Sequence, residues 1–212
     1  MLGLLGPPAL WLGSAFVYET WDIHRHRFRL TIEVDDNGTI QSGSSVIEVA
    51  ISGKATWVPQ TGGVISAVRG EAVFVAPTTG RNLLALLGLG ADGTMDIDDL
   101  AARAFGRYEP FWYRQAPSWR GRAELTSDLI PTLVTLDDIN NPETAHVVAP
   151  KDFPAVFGPG VRFKSATIEM TEDKVTRKID EYVPSIRMHK QSLYDRIHYT
   201  GVFSPQWYLF TR

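Results

Sequence analysis

Residues 28–51 read FRLTIEVDDNGTIQSGSSVIEVAI, and this stretch decides the fold class. Phe28, Leu30, Ile32 and Val34 alternate with Arg29, Thr31 and Glu33, the period of two that puts apolar side chains on one face of a strand. Asp35-Asp36-Asn37-Gly38 follows. Asn-Gly takes positive φ readily, so this is a strong tight-turn signal. After a Ser/Gly patch the apolar pattern resumes at Val46, Ile47, Val49 and Ile51. The expectation is a β-hairpin.

Outward from it, residues 64–68 and 71–75 read as a second β unit around Arg69-Gly70. Pro77-Thr78-Thr79-Gly80 then turns into the apolar run 83–87, which the glycines at 88 and 90 break. Asp96 reads as a helix N-cap with Asp99 three positions on, opening a helix to Phe105 with Ile97, Leu100, Ala101 and Ala104 inward. Residues 130–136 and 161–170 read as strands, and 151–157 as a short helix ended by Gly158-Pro159-Gly160. Residues 175–182 read as a helical turn or two before Pro184. The fold class expected is α+β and β-rich: an antiparallel, hairpin-based sheet with a few short helices and an apolar N-terminal helix. No repeat of fixed period and no low-complexity segment occurs.

The chain has 212 residues, 44% of them hydrophobic, with 24 acidic and 21 basic side chains and no cysteine. That length fits one domain with appendages and can bury a core without a staple. A net charge of −3 argues against a nucleic-acid binder. Without cysteine there is no disulfide, thiolate metal site or thiol nucleophile.

From Leu2 to Tyr18 no side chain is charged. Seventeen residues lie at the short edge of what crosses a bilayer. Pro7 and Pro8 allow a helix only from the second of them onward. Leu10, Trp11, Leu12, Phe16, Val17 and Tyr18 are the candidate anchor residues, and Trp11, Tyr18 and Trp21 suit a membrane–water interface. Three readings stand: a membrane anchor or uncleaved signal, a helix packed on the core or on a partner, or a cleaved signal. The division expected is an N-terminal segment 1–21, a β-rich domain 22–184, and a basic, aromatic-rich extension 185–212.

Catalytic signals are sparse. His24 and His26 share a face if they lie on a strand, as metal ligands would. A third ligand would have to come from Asp22 or elsewhere, and the neighbouring arginines oppose a cation; the alternative is an exposed polar strand start. Asp92, Asp96, Asp98 and Asp99 lack the distal Glu of a calcium loop, and a helix start explains them. Gly158-Pro159-Gly160 is no phosphate cradle, since proline removes a donor. No GxSxG, HExxH or dinucleotide fingerprint occurs. Glu109 and Glu124 would make an acid–base pair only if the fold joined them. No cofactor is indicated.

The best binding candidate is the stretch 107–122, where four of 16 residues are Arg and five are aromatic. Its candidate contact residues are Arg107, Trp112, Tyr113, Arg114, Trp119, Arg120 and Arg122. Arginine forks suit phosphate and carboxylate, and aromatic rings supply stacking faces or interface anchors. A protein interface, an anion or lipid-headgroup site, and ordinary packing all use these residue types.

Two further stretches carry a resemblance. Gly70-Glu71-Ala72-Val73-Phe74-Val75 leads into Gly80-Arg81-Asn82-Leu83-Leu84-Ala85-Leu86-Leu87. Leu129-Ile130-Pro131-Thr132-Leu133-Val134 leads through Asp137-Asp138-Ile139-Asn140-Asn141-Pro142 and Pro150-Lys151-Asp152-Phe153 to Phe157-Gly158-Pro159-Gly160-Val161-Arg162. With the hairpin, these resemble a family of uncharacterised bacterial proteins that have an apolar amino terminus and a β-rich body. The resemblance covers roughly two thirds of the chain and departs from about His189 onward. The family has no assigned activity, so it implies no functional residue.

The functional expectation is a non-catalytic, membrane-tethered interaction protein of the bacterial cell envelope, on its periplasmic side. It would be an accessory subunit of a larger membrane assembly with protein partners and no nucleic acid. The alternatives are a small hydrolase-like enzyme with a site built from dispersed residues, and a module for anions or lipid headgroups.

Overall fold

The computed structural model describes residues 22–53, 64–90, 93, 95–141 and 144–184. The expected N-terminal helix, with anchor residues Leu10, Trp11, Leu12, Phe16, Val17 and Tyr18, lies outside the described residues, as do Asp92 and the extension 185–212. The described chain is β-rich, built from antiparallel sheets with a few short helices. Among the described residues no helix is long and apolar enough to cross a membrane.

The hairpin expected at Asn37-Gly38 forms. β1 (Ile23–Asp36) and β2 (Thr39–Gly53) pair one-to-one from Ile23–Ser52 to Asp36–Thr39. Asn37 and Gly38 both take positive φ, 54° and 86°, as a two-residue turn matching strand twist requires. Phe28, Leu30, Ile32 and Val34 are fully buried. At roughly 1.5–3 kcal/mol for each such side chain, a one-residue slip that exposed all four could not compete.

The first sheet runs β3-β2-β1-β10-β7, with β3 (Val64–Arg69), β7 (Arg122–Glu124) and β10 (Val161–Met170). The second runs β4-β5-β8-β9, from β4 (Val73–Val75), β5 (Leu83–Leu89), β8 (Pro131–Leu136) and β9 (Ala145–Val147). β6 (Met95–Asp96) pairs with β5. The strands on either side of Arg69-Gly70 therefore do not make one β unit as expected; β3 pairs with β2 and β4 with β5, and the chain passes there from one sheet to the other.

Every residue of β5 and β8 is buried. Leu83, Ala85, Leu87 and Leu89 join the main core with the inner face of the first sheet, whereas Leu84 and Leu86 pack with Val134, Leu136, Ile179 and Val183 behind the second. An unbroken apolar run is what a strand covered on both faces needs. Asn82 extends the pairing: its side-chain amide donates to the Leu136 carbonyl at 2.9 Å and its oxygen accepts the Leu136 N–H at 2.8 Å.

Helix α1 (Leu100–Ala104) is shorter than the sequence suggests. Asp96 is not its cap; it lies in β6, where its backbone pairs with Gly88 of β5, and Asp99 takes the N-cap position without a side-chain cap hydrogen bond. Strand pairing with β5 has displaced the helix start. Ile97, Leu100 and Ala101 are buried as expected. Helix α2 (Phe153–Phe157) continues a 3-10 turn at Pro150–Asp152, and α3 (Ile179–Tyr182) is the turn before Pro184.

Candidate functional site

Alternation along β1 separates its basic and imidazole side chains. Arg25, Arg27 and Arg29 line the outer face. His24 and His26 lie on the inner face, in line with Phe28 and Leu30. This corrects the expectation of an exposed strand start, because His26 is 4% exposed. The stretch 107–122 closes over it.

That stretch folds as two 3-10 turns, Trp112–Arg114 and Ala116–Ser118. The Tyr113 ring lies 5.6 Å from that of His24, and Trp112 stands edge-on to His26 at 5.7 Å. Trp112 stacks on Trp119 at 6.0 Å, and Phe105 completes the cluster at 6.3 Å from Trp119. Tyr113 and Trp119 are buried and Trp112 is half-buried, so these three candidate residues pack into the core. Two features that are separate in the sequence, the histidine pair and the Arg/aromatic run, thus become one.

The loop leading in is different. Residues 106–111 are all exposed, with Tyr108 at 63% and Phe111 at 58%. Phe111 has φ 64°, a left-handed conformation that few non-glycine residues adopt and that is found where the surrounding structure imposes it. The Arg114 guanidinium lies 5.0 Å from the Phe111 ring, and that of Arg107 lies 5.3 Å from Trp119. Cation–π contacts of this exposed kind are worth about 0.5–1 kcal/mol. Ile23 and Ile65 are also exposed, in register through Ser52 at the same end of the first sheet.

On the outer face the charges are paired. Glu48, nearly buried, receives Arg27 through Nε at 2.7 Å and Nη2 at 2.6 Å, with Arg69 at 3.6 Å and Arg25 at 4.0 Å. Arg120 bonds Glu172 at 2.8 Å, Arg29 bonds Asp173, and Arg122 lies opposite Glu169 in the β7–β10 register. Where β10 ends, a notch of about 360 Å³ opens beside Arg25, His26, Glu48, Trp119, Arg120 and Glu172.

Among the described residues neither ring nitrogen of His26 has a hydrogen-bond partner, and burial lowers its pKa from 6.5 to about 4. The imidazole is neutral at pH 7 and a weak base. His24 Nε2 lies 3.0 Å from Asp22. Among the described residues no three His, Asp or Glu side chains gather as a metal site would require. Glu109 sits in the exposed loop and Glu124 on β7, so the two belong to separate elements.

Sequence reasoning missed a second concavity. A groove of about 800 Å³ runs between the edge of β2 at 41–46, β4, and the segment 173–182. Its signals were the Ser/Gly patch within β2 and the cations Lys174, Arg177 and Lys178.

Fold and surface together define a two-sheet antiparallel β protein with an Arg/aromatic end and a groove along one strand edge. No protein-family model matches the chain, and no curated protein or solved structure shows a significant match to it.

Proposed function

We propose that the protein is a non-catalytic interaction protein tethered to a membrane through residues 1–21, serving as an accessory subunit of a larger assembly in the bacterial cell envelope. The observation that supports this is the position of the exposed loop. Tyr108 and Phe111, flanked by Arg107 and Arg114, stand at the end of the molecule where β1 begins, the same end at which residues 1–21 join the domain. Aromatic rings beside arginine are the residues enriched at bilayer interfaces and at protein interfaces. An uncharged run of 17 residues entering there would bring that loop to the membrane surface or to a partner within it.

The test is fractionation of the full chain, a 1–18 deletion, and a Tyr108→Ser/Phe111→Ser variant. The deletion is expected to become soluble. The loop variant is expected to stay with the membrane while losing its co-purifying partner. Sedimentation of the deletion variant with membranes would sink the tether. Binding of the deletion variant to anionic but not neutral vesicles, lost on Arg107→Ala/Arg114→Ala, would favour the lipid-headgroup reading instead.

A further inference from the structure

The groove lies along a strand edge whose outward peptide groups at Ser42 and Ser44 are free among the described residues. Val46 turns its N–H and C=O away from β1: the N–H donates to Thr176 Oγ1 at 2.8 Å, and the carbonyl accepts the Thr176 N–H at 3.2 Å. Peptide groups alternate in direction along a strand, so those of Ser44 and Ser42 turn the same way. β3 covers this side of β2 only from Glu48 to Gly53. Beyond Val46 no described residue takes the outward peptide groups. Ser42 and Ser44 are exposed, and with Gly43 between them they leave the backbone accessible. Edge strands are normally blunted by lysine, proline or a bulge, and this one carries none of these from 41 to 45.

The groove's charge is one-sided. Of its carboxylates, Asp173 is bonded to Arg29, and Glu71 accepts the N–H groups of Lys178 and Ile179. Lys174, Arg177 and Lys178 are exposed and form no ion pair among the described residues. Phe74, stacked on Tyr182 at 4.6 Å, adds an apolar wall. The chain's own tail is poorly matched, because residues 185–212 carry Arg187, Lys190, Arg196 and Arg212 against Asp195 alone.

We infer that the β2 edge at Ser42–Ser44 receives an extended, acidic segment of a partner protein as an added strand. Main-chain hydrogen bonds to Ser42 and Ser44 supply the affinity, continuing the path that Thr176 begins. Lys174, Arg177 and Lys178 select acidic side chains. The surface uses neither residues 1–21 nor the Tyr108–Phe111 loop, so it goes beyond the tether reading and fails or stands separately from it.

The test is fluorescence anisotropy of the full chain, in non-ionic detergent, with a labelled peptide of alternating Glu and Val. Binding is expected, weakened by salt. It is expected to fall at least roughly tenfold when Lys replaces Glu, when alternate peptide amides are N-methylated, in Ser44→Pro, and in Lys174→Glu/Arg177→Glu/Lys178→Glu. The N-methylated arm needs no folded variant. Failure of the Glu/Val peptide to bind, equal binding of the Lys/Val peptide, or indifference to N-methylation would overturn the proposal. So would a dimer of the chain that Ser44→Pro dissociates, which would assign the edge to a second copy.

Discussion

Trp112 meets the imidazole of His26 edge-on, with ring centroids 5.7 Å apart and planes at 75°. That contact seals the end of the inner sheet face. Both ring nitrogens are buried, and that burial couples the imidazole's charge to folding.

His26 titrates near 4 in the folded chain because burial disfavours its charged form, against about 6.5 when unfolded. Its folded pKa is depressed. The unfolded state therefore binds more protons between those values, and stability that is complete above pH 6.5 is lost as pH falls toward 4. The loss is expected to be about 2 kcal/mol between pH 7.5 and pH 5, and about 3 kcal/mol by pH 4. Urea unfolding across this range tests it. His26→Phe should flatten the dependence, and an unchanged slope in that variant would place the titration elsewhere.

Glu71, 5% exposed, caps α3 from across the chain, accepting the N–H groups of Lys178 at 2.7–2.8 Å and Ile179 at 2.9 Å. The helix carries Ile179, which with Val183 covers the back of the second sheet. Glu71→Ala should cost about 2 kcal/mol, since hydrogen bonds to a charged acceptor run near that value. Hydrogen exchange should show the Lys178 and Ile179 amides losing protection before the strand amides do. Uniform loss across the domain would contradict a local capping role.

A Cβ at Gly43 would overlap the carbonyl oxygen of Phe74, where β4 crosses under β2. Gly43→Ala must therefore part the two sheets locally, at a cost of about 1–3 kcal/mol. A denaturant midpoint unchanged from the parent would show that β4 can give way there.

Asp36 ties the hairpin to the loop before β5, accepting the Thr78 hydroxyl at 2.5 Å and the Thr78 N–H at 2.6 Å. These bonds hold its carboxyl below the usual 3.8, the hydroxyl contributing most. A depressed folded pKa gives stability that is present above the unfolded value and lost as pH falls through the folded one. Asp36→Ala is expected to destabilise at neutral pH and to converge with the parent in strong acid. Parallel stability curves down to the lowest pH would refute that coupling.

Much of the backbone was legible in the sequence. Alternation from Phe28 to Val34, the Asn37-Gly38 turn, and the run from Leu83 to Leu87 each reflect interactions within a few residues, so local pattern determined the hairpin and the strands. The start of α1 was misread because Asp96 is claimed by β5, a partner distant from the helix's own sequence.

The candidate surface divided along the same line. The stretch 107–122 was legible as unusual, but its composition could not separate buried Tyr113 and Trp119 from exposed Tyr108 and Phe111. Tertiary structure alone decided that His26 is buried under Trp112, that the chain changes sheets at Arg69-Gly70, and that the Ser42–Ser44 edge lies beside cations that form no ion pair among the described residues. Strand formation follows from periodicity along the chain. Burial, charge pairing and free edges depend on which distant segment arrives to cover each group, and no local pattern carries that information.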